Sequence, residues 1–165
     1  MDLEIIKGSV VYSDCDAIVN AANERLLGGG GVCGAIFQEA GWDDLEKECE
    51  SIGGCEKGKA VITKGYNLKA KYIIHAVGPT DGNAQKLHDA FYNSLLLADS
   101  YNLKTIGLVP ISTGIFGFPL KECALIATKL ILDYKPKSLQ KCIMYCFGEE
   151  EYKVFCKTLN QLLNK

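Results

Sequence analysis

The sequence predicts an α/β protein in which a mixed sheet is flanked by helices. Short runs of apolar and β-branched residues, bounded by glycine, proline or polar residues, indicate strands. Longer segments with apolar residues at helical spacing indicate amphipathic helices. The pattern is rich in strands at the start and then alternates between helix and strand, which is typical of a sheet with helices packed on it.

The predicted elements follow one another with short connections. Strands are expected at residues 3–6, 16–20, 59–64, 72–77, 105–110 and 142–147, and helices at 32–40, 43–52, 84–102, 119–134 and 149–163. The segment 10–12 fits either a short strand or a turn. In the helix at 84–102 the apolar residues Leu87, Phe91 and Leu95 recur at helical spacing and face inward. Acidic residues open the last helix, where the helix dipole favours them.

Length and composition limit the class of protein. A chain of 165 residues with 48% hydrophobic residues is expected to form one domain, residues 1–165, with a full core. The net charge of −2 argues against electrostatic binding to nucleic acid or to acidic membranes. Arg25 is the only arginine, so a phosphate group would have to be bound by backbone N–H groups rather than by an arginine clamp.

The expected compartment determines how the eight cysteines are interpreted. The sequence has neither a leading apolar segment nor a run of eighteen apolar residues, so we expect a cytoplasmic protein that does not enter a membrane. In that setting most cysteines are expected to be reduced and buried. A zinc site built from Cys49, Cys55 and a histidine is a weaker alternative, because the spacing does not match known zinc fingers. Otherwise we expect neither a metal nor a cofactor.

The segment 16–41 carries the first functional signal. A strand is followed by Asn20 and Asn23, by the glycine run Gly28–Gly31 and then by a helix. Ligands of open α/β sheets bind where strands end, and a glycine loop leading into a helix N-terminus is a site for anions, most often diphosphate. A flexible loop without a ligand is the alternative. The loop matches neither the Walker pattern nor the Rossmann fingerprint.

A second loop of the same kind follows the strand at 105–110. In it Ser112 and Thr113 can donate hydroxyl hydrogen bonds, and Gly114 can turn its N–H outward. Two loops that each join a strand to a helix emerge at one edge of a sheet, so they can flank one cleft and hold two adjacent phosphates without a cation. Of the histidines, His75 is expected in the core and His88 in solvent.

Four motifs in this order resemble the macro domain family over nearly the whole chain: DAIVNAAN, GGGGV-x-GAI, YIIHAVGP and STGIFGFP. The region between residues 53 and 79 is most similar to the MacroD-type branch. The resemblance implies a three-layer α/β/α sandwich around a six-stranded mixed sheet. It also implies binding of ADP-ribose, hydrolysis of mono-ADP-ribose from acidic side chains and deacetylation of O-acetyl-ADP-ribose.

The resemblance also assigns roles by position. Residues 29–34 would wrap the distal ribose and one phosphate, Asn23 would bind the ribose hydroxyls, and residues 112–116 would cradle the diphosphate. Phe147 would stack on the adenine, although a core position is an equal alternative. The implied ligand-binding set is Ser9, Val10, Asn23, Gly29, Gly30, Gly31, Val32, Cys33, Gly34, Ser112, Thr113, Gly114, Ile115, Phe116 and Phe147.

Two departures from the family pattern bear on activity. Ser9 stands where the family has an aspartate that binds the adenine amino group, so binding is expected to be weaker or less selective for adenine, with the Val10 N–H still available. Cys33 and Phe37 stand where MacroD-type enzymes carry an aspartate and a histidine. A thiol, with an ordinary pKa of about 8.5, is a poor base at pH 7. Asn23 and Cys33, which occupies the position of the usual aspartate, are the catalytic candidates.

The expected activity is therefore a slow mono-ADP-ribosylhydrolase, in which a phosphate oxygen of the substrate accepts the proton of the attacking water. The resemblance to alphavirus-type macro domains, which have a cysteine in the same Gly-Val-Cys sequence and are active, implies such a mechanism. The alternative is an ADP-ribose reader without turnover, which Cys33 and Phe37 favour. A poly-ADP-ribose glycohydrolase is less well supported, because Ala40 follows Gln38-Glu39 where that class has a second glutamate. The expected partners are ADP-ribose and mono-ADP-ribosylated proteins, with nucleic acid only as a modified substrate and the chain a monomer.

Overall fold

The computed structural model describes residues 1–164, in which strands and helices come in pairs at first and alternate one by one in the second half of the chain. The strands are β1 (Asp2–Lys7), β2 (Ala17–Ala22), β3 (Ala60–Lys64), β4 (Tyr72–Val77), β5 (Thr105–Leu108) and β6 (Lys141–Cys146). The helices are α1 (Gly31–Ala40), α2 (Trp42–Ile52), α3 (Ala84–Ser100), α4 (Leu120–Asp133) and α5 (Glu149–Leu163). Residues 10–12 form a short 3-10 helix, so the turn alternative was correct.

The strands form one mixed sheet in the order β1-β6-β5-β2-β4-β3. All neighbouring pairs are parallel except β3 and β4, which are antiparallel. Helices α1 and α2 pack together, with α1 on β2 and α2 on β3, while α3, α4 and α5 form a row that contacts β4 and β3 at one end and β1 and β6 at the other. This is the three-layer α/β/α sandwich with a six-stranded mixed sheet that was predicted.

The parallel strands determine where a ligand can bind. Strands β1, β6, β5 and β2 lie side by side and run in the same direction, so their carboxyl ends meet at one edge of the sheet. Adjacent strands are about 4.8 Å apart, so the loops that follow β5 and β2 begin close together. Both glycine-containing loops therefore emerge beside each other, as the sequence predicted.

The central strands are buried on both faces. Ile18 and Val19 of β2 and Ile73 and Ile74 of β4 are completely buried, as expected for parallel strands covered by helices on both sides. All eight cysteines are free thiols; Cys55 and Cys156 are half-buried and the rest are buried. Burial raises the pKa of Cys49 to about 11, so this thiol stays protonated at neutral pH.

A polar pair lies within this apolar centre. His75 of β4 is completely buried, and its Nδ1 lies 3.1 Å from Asn20 Nδ2 while its Nε2 lies 3.0 Å from Thr63 Oγ1. Burial lowers the pKa of His75 to about 4, so the imidazole is neutral at pH 7. His75 is thus a core residue, as predicted. His88 is half-buried at the surface, with Nδ1 3.2 Å from Asp89 Oδ1.

Among residues 1–164, no helix has both the length and the apolar composition needed to cross a bilayer.

The buried state of His75 predicts a pH-dependent stability. Because its pKa falls from 6.5 in the unfolded chain to about 4 in the folded protein, the unfolded chain binds the extra proton between these values. The free energy of unfolding should therefore fall by about 2 kcal/mol more for the wild type than for His75→Gln when the pH is lowered from 7 to 5. Urea denaturation of both proteins at the two pH values measures this difference. An equal loss in both proteins would contradict a neutral buried imidazole.

Candidate ligand-binding site

A cleft of about 610 Å³ lies at the carboxyl edge of β1, β6, β5 and β2. It is lined by the loop after β1, the glycine loop after β2, the loop after β5 and the residues that follow β6. Of the ligand-binding residues implied by the sequence, all but Gly34 line this cleft. The structure therefore brings together segments that are more than 100 residues apart in the chain.

The glycine loop forms the first backbone cradle. The N–H groups of residues 29–33 make no hydrogen bond within the described part of the chain, because α1 begins at Gly31 and its first turn has no partner. Gly31 has a φ of +57°, a conformation that side chains disfavour. Space around Gly29 and Gly30 is open, since a Cβ at either position would have no atom within 4 Å. A ligand can therefore approach this backbone closely.

Gly34 acts from beneath the loop rather than inside the cleft. A Cβ at Gly34 would lie 2.2 Å from the carbonyl oxygen of Gly29, much closer than any real contact. Helix α1 therefore packs directly against the loop only because residue 34 has no side chain. Gly34 determines the shape of the cradle although it does not line the cleft.

Asn23 fastens the glycine loop from the other side. Its Nδ2 donates to the Leu27 carbonyl at 2.8 Å, and its Oδ1 accepts from the Leu27 N–H at 3.0 Å. Each amide group still has one hydrogen-bonding position left, since Nδ2 carries two hydrogens and Oδ1 two lone pairs. Asn23 is therefore held in one orientation while it lines the cleft.

Cys33 lies in the first turn of α1 and is only 7% exposed. Its Sγ donates to the Leu27 carbonyl at 3.6 Å and accepts from Asn20 Nδ2 at 3.6 Å. The thiol thus connects the loop, the helix and strand β2. Phe37, one turn further along α1, is buried against Trp42 with ring centroids 5.1 Å apart.

Asn20 is not a cleft residue, contrary to the expectation that it follows the end of a strand. Strand β2 continues to Ala22, so Asn20 lies inside the strand and is 1% exposed. Its Oδ1 has no hydrogen-bond partner among residues 1–164. The apolar run that predicted the strand ends before Asn20, which is why the sequence placed the end of the strand too early.

The second loop presents backbone rather than hydroxyl donors. Ser112 Oγ donates to the Pro79 carbonyl at 2.8 Å, and Thr113 Oγ1 donates to the Pro110 carbonyl at 2.8 Å. Both hydroxyls do donate, as predicted, but they donate to carbonyl groups of the protein itself. The N–H groups of residues 113–116 have no partner within the described residues and remain free to bind an anion. Ser112 has a φ of +66°, so this loop is tightly turned where it leaves β5.

No lysine, arginine or histidine lines the cleft among the described residues. An anion bound there is stabilised by two sets of N–H groups and by the positive end of the α1 dipole. Two adjacent phosphates, one for each loop, stay the prediction from the sequence for this site.

The cleft has an apolar rim. Phe147 is 83% exposed, Ile115 is 95% exposed and Phe116 is 49% exposed, although all three are large apolar residues. The core alternative for Phe147 is therefore excluded. A ring in this position offers an open face for stacking.

The cleft contains the predicted Ser9 and also residues that the sequence analysis did not single out. Ser9 Oγ accepts from the Val11 N–H at 3.3 Å and thereby begins the 3-10 helix. The residues that sequence reasoning missed are Gly8, Ala21, Ala22, Ala35, Val109, Pro110, Tyr145 and Glu151. Most of them lie within two residues of a predicted site residue, so the positions of the predicted loops could have identified them. No sequence signal pointed to Glu151, because an acidic residue is common in the first turn of any helix.

A larger groove of about 750 Å³ lies between α3 and α4. Its only deeply held acid, Asp99, is already occupied by Tyr134 Oη and by the N–H groups of Leu139, Ser138 and Lys137. Although burial alone raises the pKa of Asp99, these hydrogen bonds lower it to about 2. The groove thus surrounds a structural hydrogen-bond cluster. The described residues contain no group of three or more His, Cys, Asp or Glu that could hold a metal ion.

Comparison with known proteins assigns the family. The macro domain family model matches residues 19–127. A macro domain-containing protein of Caldanaerobacter subterraneus is 45% identical over an alignment of 169 positions, which covers 97% of this chain and 97% of that protein. A mutant of the Oceanobacillus iheyensis macrodomain with ADPR superposes with a TM-score of 0.94 at 33% identity, over 99% of this chain and 94% of that one. This chain belongs to the macro domain family.

A relative with a named activity has a similar sequence identity to this chain. The ADP-ribose glycohydrolase MACROD2 of Xenopus laevis is 41% identical over 168 residues, which cover 96% of this chain but 40% of that longer protein.

The contact beneath the glycine loop generates a prediction. In Gly34→Ala the Gly29 carbonyl must move, which opens the cradle and removes at least one N–H hydrogen bond to a bound phosphate. Such a bond to a charged group contributes about 1.5–3 kcal/mol, so the affinity for a nucleoside diphosphate should fall about tenfold or more. Calorimetric titration with ADP measures the change. His88→Ala, outside the cleft, is the control and should bind ADP as the wild type does. An unchanged affinity in Gly34→Ala would show that the cradle does not depend on this contact.

Proposed function

We propose that this macro domain binds ADP-ribose and hydrolyses mono-ADP-ribose from acidic side chains of modified proteins, with O-acetyl-ADP-ribose as a further substrate. The observation that supports it most is the pair of facing loops with free N–H groups at one end of a cleft whose other end carries an exposed aromatic ring. The likeness to an ADPR-bound macrodomain and to an ADP-ribose glycohydrolase agrees with this.

The proposed ligand lies across the strand ends. The diphosphate binds between residues 29–33 and 113–116, whose N–H groups have no other partner. The adenine stacks on Phe147, which follows β6, while the distal ribose reaches Asn23, which follows β2. Strands β6 and β2 are separated by β5 alone, so these ends are about 10 Å apart, which suits an extended dinucleotide-like ligand. Residues 1–165 act as one domain, since β1 and β6 lie outside the matched segment 19–127 and yet belong to the same sheet.

The proposed reaction needs no protein base. Water attacks the anomeric carbon of the distal ribose, the bond from that carbon to the acceptor oxygen breaks, and the acceptor leaves as a carboxylate. The water proton passes to an oxygen of the ligand's own phosphate. The protein contributes by positioning, through the clamped Asn23 amide and the two cradles. A missing general base costs about 10²–10⁴-fold in rate, so turnover is slow.

The second candidate function is an ADP-ribose reader without turnover. It is favoured by the surroundings of residue 33, where a buried thiol, hydrogen-bonded to Leu27 and Asn20, stands in place of an acid. The burial of Phe37 also favours it. The two functions share the binding mode and differ only in the loss of ADP-ribose from a modified protein.

The first test follows the release of ADP-ribose from a protein that is mono-ADP-ribosylated on glutamate. We expect the mass of the modification to disappear with the wild type and to persist with Asn23→Ala, because that substitution removes the amide that orients the distal ribose and clamps Leu27. Intact mass spectrometry over time measures the loss. Asn160→Ala, on the exposed surface of α5, is the control and should behave as the wild type.

Two results would redirect the proposal. Persistence of the modification with the wild type, while ADP-ribose binds in a calorimeter, would leave the reader function. Failure to bind ADP-ribose would contradict both functions.

Cys33 provides a separate test of the mechanism. Because its thiol is occupied by the Leu27 carbonyl and by Asn20, it is not positioned to act on water, and Cys33→Ala should keep the wild-type rate within about threefold once its stability is confirmed. The same time course gives the rate constant. A loss of a hundredfold or more in a folded variant that still binds ADP-ribose would mean that the thiol takes part in the reaction.

A further inference from the structure

Glu151 has the only charged side chain that lines the cleft among residues 1–164. It lies in the first turn of α5, one turn beyond Phe147, and is half-buried. A carboxylate in a cleft built for a diphosphate repels the ligand unless it lies at the other end and accepts a hydrogen bond there. The position of Glu151 beyond β6, two strands from the glycine loop, meets the first condition.

One oxygen of the Glu151 carboxylate is held by a hydrogen bond, and the other has no partner in the described chain. Its Oε1 accepts the Gly148 N–H at 2.9 Å, which closes the N-terminus of α5. Its Oε2 has no hydrogen-bond or ion-pair partner among residues 1–164, although neighbouring Glu149 pairs with Lys7 at 2.7 Å. Glu151 therefore presents one charged acceptor in a defined position.

Other groups at this end cannot supply the same acceptor. Ser9 is neutral, and its Oγ already accepts the Val11 N–H. The Val10 N–H, which has no partner in the described chain, is a donor. If a base stacks on Phe147 and its sugar points toward the two cradles, the edge of the base opposite the sugar lies toward Val10 and Glu151. That end of the cleft thus offers the Val10 N–H as a donor and the Glu151 carboxylate as a charged acceptor.

We propose that Glu151 selects the nucleobase by accepting a hydrogen bond from the 6-amino group of adenine through Oε2. This inference rests on the proposed function, since it needs an adenine nucleotide in the cleft. It assigns to Glu151 the charged acceptor that Ser9 does not provide, so selectivity for adenine is kept despite Ser9.

The test compares two ligands that differ only at position 6 of the base. These are ADP and the 5′-diphosphate of purine riboside, which has a hydrogen in place of the amino group. The wild type should prefer ADP by about tenfold, the lower range for a hydrogen bond to a charged group, because Glu151 is half-buried. In Glu151→Gln the side-chain oxygen still accepts the Gly148 N–H, but a donor replaces the free acceptor. Its preference should fall to about twofold or less.

Glu150→Gln is the matched control, because it removes the same charge from the same helix turn at an exposed position outside the cleft. It should keep the wild-type preference, and thermal melts should show all three proteins folded. Binding of both ligands without preference by the wild type, or an unchanged preference in Glu151→Gln, would overturn this inference and leave ADP-ribose binding intact. Failure of the wild type to bind either ligand would overturn the proposed function and this inference together.

Discussion

The site depends on the close approach of the Gly29 carbonyl to the backbone of α1 at Gly34. No side chain fits between them, since a Cβ at Gly34 would lie 2.2 Å from that oxygen. The loop therefore packs against the start of the helix, and the N–H groups of residues 29–33, which line the cleft, have no hydrogen-bond partner among residues 1–164. Asn23 holds the same loop through both polar groups of Leu27. A cradle fixed from two sides loses little entropy when it binds a ligand.

The sheet brings the second cradle to the first. Strands β5 and β2 are parallel neighbours, so the loops that follow them begin at the same edge. Ser112 and Thr113 use their hydroxyls on the Pro79 and Pro110 carbonyls, and this leaves the loop's N–H groups as its donors. The proposed binding of a diphosphate in the cleft thus uses oriented N–H dipoles and no cationic side chain. The same arrangement explains why the site exists in a chain with a net charge of −2 and one arginine.

Much of this arrangement follows from local patterns in the sequence. The strands and helices were predicted because apolar periodicity reflects burial directly, as at Ile73 and Ile74 in β4 and Phe91 in α3. The two loops were predicted from glycines next to strand ends. The side-chain hydrogen bonds were not, because the partners of Ser112 and Asn23 depend on how the chain packs. Glu151 was missed for the same reason, since only tertiary structure brings α5 to the cleft.

The resemblance to macro domains supplied roles that residue patterns alone do not contain, and the structure qualifies two of them. Gly34 acts beneath the loop rather than in the cleft. The buried Cys33 thiol hydrogen-bonds to Leu27 and Asn20, at the position where the resemblance implies an acid in MacroD-type enzymes. The proposed hydrolysis, which lacks that acid, relies on positioning of the ligand by the two backbone cradles.

A titration of the ¹⁵N-labelled protein with ADP-ribose, followed by backbone amide NMR, tests these cradles most directly. Hydrogen bonds to phosphate change the resonance of the donating N–H most, so the account predicts the largest shifts at residues 29–33 and 113–116. Shifts concentrated at the groove between α3 and α4, or an absence of shifts in either loop at saturation, would contradict it.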